Sequence, residues 1–130
     1  MANQFRLSDN RIIAFVATLN PARLKEFYEQ TLSLPLLSDE LPFAMVFDLC
    51  GTMLRVTPVK ELTPAPYTVL GWNVSDIVAG AKALQKSGVV FQRYPGLEQD
   101  ESGIWTSPSG AKVAWFKDPD GNTLSISQHH

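Results

Sequence analysis

Cysteine is nearly missing from this chain of 130 residues: Cys50 stands alone. No disulfide can therefore close within one copy, and a zinc site built on cysteines is excluded. Histidine is missing from the interior, since His129 and His130 are the last two residues, where chain ends fray. Without an internal histidine there is nothing to activate Cys50, which reads as a small filler beside a turn. Charge of one sign is also lacking: 11 Lys and Arg stand against 13 Asp and Glu, for a formal charge of -2, and no basic run occurs. Such a surface does not hold a phosphate backbone, so nucleic acid is not an expected partner. No apolar run approaches the roughly 20 residues that cross a bilayer. The opening MANQFRLSDN has neither the charged start nor the apolar core of a secretory signal. The expected location is cytoplasmic, with no membrane partner.

What is present is an ordinary globular composition, 45% apolar and 18% charged, in a length that suits one domain over residues 1–130. RIIAFVAT (11–18) reads as a strand. Asn20 and Pro21 then form a helix cap with proline at the first position, opening a helix that carries Leu24, Phe27, Tyr28 and Leu32 on one side. A short strand at 34–37 is followed by FAMVFDL and TMLRVTP, a hairpin around Cys50-Gly51. After the proline-containing LTPAPY the order starts again. YTVLGWNV is a strand, Asp76 caps a helix that Gly88 ends, and VVFQRY is a short strand. A polar loop, GLEQDESG, precedes the last strands IWTSP, KVAWFK and TLSISQ.

The two halves are copies of one β-α-β-β-β unit. The caps Asn20 and Asp76 are 56 residues apart, and the same offset carries Ile13 to Val69 and Leu34 to Val90. Module 1 covers about 10–62 and module 2 about 66–128, the second containing an extra loop. The fold class expected is α+β: two tandem modules forming a curved mixed sheet around a cavity, helices outside.

Two such units, a first helix reading NPARLKEFYEQTLSL and a closing DPDGN turn (118–122) together resemble the vicinal-oxygen-chelate superfamily. This is the group of glyoxalases, bleomycin-resistance proteins and extradiol dioxygenases. The resemblance covers residues 10–128 and implies a cavity lined by concave strand faces and pairing of two copies. Its enzymes hold a divalent metal through His, Glu or Gln at four strand positions. Those positions fall at or within one residue of Ile13, Arg55, Val69 and Ser125, none of them such a ligand. A guanidinium cannot give up its proton and repels a metal. No metal and no cofactor are expected.

Strand alternation sorts the faces without the resemblance. Leu54 and Val56 face a helix, leaving Met53, Arg55 and Thr57 opposite. Leu124 and Ile126 do the same, leaving Thr123, Ser125 and Ser127, while Leu70, Trp72 and Val74 leave Val69, Gly71 and Asn73. The candidate ligand-binding residues are Arg55, Ser125, Asn73, Met53, Phe15, Trp105 and Arg93. Arg55 either holds an anionic ligand or pairs with Asp48, its diagonal neighbour across the hairpin. Trp105 and Arg93 flank the extra loop, which is placed to close over a site. Most of the aromatics Phe15, Trp72, Trp105, Trp115 and Phe116 read as core, Trp72 above all, and Glu98, Asp100 and Glu101 as a solvated face.

The functional expectation is a protein of the glyoxalase and bleomycin-resistance kind that binds or sequesters a small anionic or aromatic molecule. The alternative is a lyase, isomerase or oxygenase of the glyoxalase or dioxygenase type with a non-standard site. A third is a dimeric scaffold. The expected partners are a small ligand and a second copy, as a homodimer.

Overall fold

The computed structural model describes residues 4–129. Strand β1 (Ile13–Thr18) leads into α1 (Pro21–Glu26), where the Asn20 Oδ1 accepts from the Arg23 N–H at 3.2 Å, as the cap reading requires. The helix does not run on regularly. It widens into a π turn at Phe27–Thr31, closed by a bond from the Leu32 N–H to the Phe27 carbonyl at 2.9 Å. Then come β2 (Leu36–Glu40), β3 (Ala44–Leu49) and β4 (Thr52–Pro58). Module 2 repeats the order with β5 (Thr68–Asn73), α2 (Ile77–Lys86), β6 (Trp105–Thr106), β7 (Lys112–Lys117) and β8 (Thr123–Gln128).

Each module forms its own four-stranded sheet, in the order β1-β4-β3-β2 and β5-β8-β7-β6. In each, the first strand lies parallel to the last, and the other pairs are antiparallel. The fold is α+β. The β3–β4 hairpin has the two-residue turn expected, with Leu49 opposite Thr52 and both Cys50 and Gly51 at positive φ, 53° and 94°. Among the described residues no helix is long and apolar enough to cross a membrane.

One expected strand is absent. In 89–94 only Phe91 forms an isolated bridge, to Phe116, and the outer place in the second sheet goes to Trp105 and Thr106. The Gln99 side chain explains why. It donates to the carbonyls of Gln92 and Gly103 at 2.9 and 2.8 Å and accepts from the Tyr94 N–H at 2.8 Å. Backbone groups that a ladder would use are thereby committed to the loop.

A single buried cluster joins the helix sides of both sheets. Leu24, Tyr28 and Phe47 of module 1 are continuous in it with Ile77, Phe116 and Leu124 of module 2. Trp72 belongs to this side, stacked on Phe116 with ring centroids 6.5 Å apart, as its alternation predicted.

The DPDGN turn fastens the modules together. The Tyr28 hydroxyl donates to Asp118 Oδ2 at 2.8 Å. Asp120 accepts from the Thr18 hydroxyl at 2.6 Å and the Leu19 N–H at 2.7 Å. The Asn122 side chain donates to the Ala17 carbonyl at 3.1 Å. Asp118 also accepts from the Asn122 side chain and from the N–H groups of Asp120 and Asn122. Burial pushes the Asp118 carboxyl above its ordinary range, against the pull of these donors. Burial, reinforced by the Asp118 charge, pushes the Tyr28 phenol up as well.

Candidate functional site

The faces turned away from the helices are open, and the register puts their residues in rows. Across the first sheet, Phe15, Arg55 and Val46 lie side by side on β1, β4 and β3. The row is apolar apart from Arg55, and Phe15 is 62% exposed. Ile13 and Met53 flank it, also exposed.

Arg55 does not pair with Asp48. The hairpin register is the one expected, with Val46 opposite Arg55 and Asp48 opposite Met53, yet Asp48 turns to the hairpin and accepts from the Gly51 N–H at 2.8 Å. The partner of Arg55 is Glu40, at a long 3.9 Å, and both side chains are partly exposed. Ser38 donates to the other Glu40 oxygen at 2.7 Å and holds the carboxylate on that side. Glu40 escaped the sequence reading because the bulge between Leu36 and Ser38 sets the register of β2, and nothing in the residues announces it. An exposed ion pair this long contributes little, so Arg55 remains available to another anion.

Across the second sheet the matching row is Gly71, Ser125 and Trp115, on β5, β8 and β7. Ser125 is only 7% exposed as a residue, yet its hydroxyl reaches solvent on the open face and bonds no described residue. The neighbouring strand approaches it closely: a Cβ built on Gly71 would lie 2.9 Å from the Ser125 Oγ. The Asn73 side chain, also on this face, likewise makes no hydrogen bond among the described residues. Trp115 is not core. Its ring meets Tyr94 edge-on at 5.5 Å and Trp105 at 6.0 Å, so three aromatic rings stand together beside the serine. The signal was in KVAWFK, where Trp115 alternates with the buried Ala114 and Phe116. His129 lies 3.1 Å from the Ser127 hydroxyl at the end of the same strand.

Arg93 stands apart from both rows. Its guanidinium donates to the carbonyls of Gln99, Asp100 and Glu101, at 3.4, 2.6 and 3.0 Å. Asp100 accepts from the N–H groups of Ser102 and Ile104. With Gln99, these bonds fix the extra loop in place. Glu98 and Glu101 are exposed, as a solvated face would be.

Among the cavities of the described residues are three of about 560, 350 and 250 Å³. The largest lies beside the extra loop and includes Trp105 in its lining, and the smallest includes Arg93. None of the three is lined by Phe15, Met53, Arg55, Asn73 or Ser125. These residues stand on sheet faces outside those three cavities.

The four positions implied for a metal offer two alkyl side chains (Ile13 and Val69), the Arg55 guanidinium and the Ser125 hydroxyl. Among the described residues no group of three or more His, Cys, Asp or Glu is placed to hold a metal ion. This donor set does not fit the divalent ion of the superfamily's enzymes.

Paired β-α-β-β-β modules with open faces opposite the helices define the fold of the glyoxalase, bleomycin-resistance and dioxygenase superfamily. Solved structures agree. A Bacillus anthracis protein described as belonging to the glyoxalase family superposes with a TM-score of 0.72 at 15% identity, each chain covered in full. A member of the glyoxalase/bleomycin resistance protein/dioxygenase superfamily from Sphaerobacter thermophilus gives 0.71 at 21% identity, over 92% of this chain and 97% of that one. TioX from Micromonospora sp. ML1 gives 0.68 at 17% identity, over 93% and 99%. The sequence matches no protein-family model and no curated protein.

Proposed function

We propose that this chain binds a small anionic or aromatic molecule without a metal, between the open face of module 1 and the open face of module 2 of a second copy. The observation that carries this reading is the Ser125 hydroxyl, which reaches solvent on a face beside Trp115 and bonds no described residue, although Ser125 as a whole is only 7% exposed. A hydroxyl that only solvent serves can exchange its water for a ligand group at little cost. The neighbouring tryptophans offer a flat apolar wall, and Asn73 a second neutral polar group. Arg55, held only by a long exposed pair, supplies the charge, and exposed Ile13, Phe15, Met53 and Val69 give a second copy an apolar surface to cover. Binding is favoured over turnover because the carboxylate paired with Arg55 is not free to take a proton. Glu40 is already engaged by Arg55 and Ser38.

The test is a thermal-shift screen of metabolites and antibiotics, with and without chelator, repeated on Arg55→Met and Ser125→Ala. A charge-assisted contact contributes roughly 1.5 to 3 kcal/mol, so Arg55→Met should weaken an anionic ligand by about 10- to 100-fold with the fold intact. A ligand-induced rise that needs a divalent metal would sink the metal-free reading in favour of a lyase, isomerase or oxygenase. No rise with any compound would favour a scaffold.

A further inference from the structure

The cavity of about 560 Å³ lies at the outer edge of the second sheet, and its charged residues are not those of the binding proposed above. Strand alternation sets its side. Lys112 falls on the same face of β7 as the buried Ala114 and Phe116, which is the helix side, and Val78 of α2 stands in the same lining. Thr106, the cross-strand neighbour of Lys112, continues that wall on β6. The extra loop supplies Glu98 and Asp100. The volume falls within the roughly 300 to 1,000 Å³ usual for small-molecule sites.

Charges of both signs thus line one space, and they do not neutralise each other. Among the described residues Lys112 and Glu98 form neither an ion pair nor a hydrogen bond. Lys112 is half-buried, so its ammonium has less water to turn to than that of a freely exposed lysine. Asp100 is only half committed. Its Oδ1 accepts from the Ser102 and Ile104 N–H groups, both at 2.9 Å, and its Oδ2 has no partner among the described residues. Opposite charges that share a cavity without touching leave a gap, which water fills or a molecule carrying both charges spans.

The loop side does not have to be assembled for such a molecule. Arg93 ties down the carbonyls of Gln99, Asp100 and Glu101, and the Gln99 main chain bridges to Trp105. A loop held in this way has little freedom left to lose when a ligand enters, which favours binding. Val78, 44% exposed, adds apolar surface beside the charges.

We propose that this cavity is a second small-molecule site, taking a zwitterion of the free amino-acid kind. The ligand carboxylate meets Lys112 and the Thr106 hydroxyl, its ammonium meets Glu98 and the free oxygen of Asp100, and its apolar part lies on Val78. A plain amine leaves Lys112 unanswered, and a plain anion sets itself against two carboxylates for one ammonium. Only a molecule with both charges satisfies all three groups. The site does not depend on the open faces, and either can fail while the other holds.

The test is calorimetric titration of the full chain, backed by thermal shift, at low ionic strength, where exposed charges are least screened. The probes are the standard free amino acids and γ-aminobutyrate, with amino-acid methyl esters and N-acetyl amino acids as counterparts that carry one charge only. Saturable binding of at least one zwitterion is expected, with its ester and N-acetyl forms weaker by about tenfold or more. Lys112→Met and Glu98→Gln should each weaken the zwitterion by roughly 10- to 100-fold, the loss of one charge-assisted contact. Glu98 is exposed, so its substitution leaves the fold intact and keeps the test decisive should Lys112→Met melt early. Arg55→Met and Ser125→Ala should leave the affinity unchanged, and a loss in either would overturn the proposal by moving the zwitterion to the open faces. Esters binding as tightly as the free amino acids would overturn it in favour of a plain acidic patch. Neither heat nor a thermal shift with any zwitterion would overturn it outright.

Discussion

The two modules repeat one plan, and their differences show which parts of the plan carry which task. Module 1 ends its helix through a π turn and places Ser33 at a φ of 57°, a strained position for a residue with a Cβ. Module 2 ends its helix on Gly88 at 106°, without that strain, and closes it with a bond from the Val89 N–H to the Leu84 carbonyl. The β3–β4 turn of module 1 satisfies only itself, whereas the corresponding turn of module 2 reaches across to Thr18, Leu19 and Tyr28. The open faces differ too. Module 1 offers apolar surface and one cation, and module 2 offers aromatic rings and free polar groups. The two sheets share one backbone plan and differ in the side chains they present.

The largest break in the comparison should come from the turns. Asp118→Ala removes a buried acceptor shared by four donors and is expected to destabilise the fold by about 3 kcal/mol. Asp48→Ala, in the exposed turn of module 1, should cost less than about 1 kcal/mol. Urea titration of both variants measures the gap, and equal losses would show that the cross-module bonds add nothing. Asp118 also fixes a sign in pH. Its carboxyl is raised in the folded state, so the native chain keeps the proton longer than the unfolded one. Its contribution is full below the ordinary carboxylate value of 3.8 and falls as pH rises through the higher folded value. Stability of the parent chain relative to Asp118→Asn should therefore decline upward from about pH 4. A relative gain with rising pH would mean that the donors hold the carboxylate charged.

Next in size is the close approach of β5 to β8. Gly71→Ala places a Cβ against the Ser125 Oγ and should cost about 1 to 2 kcal/mol, recovered in part by adding Ser125→Ala. The matching residue of module 1, Phe15, is exposed, and Phe15→Ala should change stability by less than about 0.5 kcal/mol. Non-additivity of the Gly71 and Ser125 changes is the signature to measure. The helix ends give the smallest effects, of opposite sign: Gly88→Ser should lose about 1 kcal/mol and Ser33→Gly gain about 0.5 kcal/mol. Thermal denaturation resolves both.

Strand alternation, caps and the 56-residue offset made the duplicated architecture legible before any coordinates, because each is a local property of the chain. The division of faces on β4, β5 and β8 was legible for the same reason. What could not be read depended on register or on side chains reaching far along the chain. The bulge at β2 brought Glu40 to Arg55, and Gln99 took the Gln92 carbonyl and the Tyr94 N–H into the loop. Trp115 was not separated from the other aromatic residues, most of which read as core, because an aromatic residue among apolar neighbours defaults to burial. The alternation in KVAWFK pointed to the other face, and the contacts of Trp115 with Tyr94 and Trp105 show it there.

The DPDGN turn has one more consequence. The bonds that join the halves run through space from the β7–β8 turn to the start of α1, and none passes along the connector at 59–67. Order along the chain is therefore dispensable to that junction. A circular permutant opened in the connector and joined through its former ends by a flexible linker should keep the Tyr28, Thr18 and Asn122 bonds. The halves would remain partners with their order reversed.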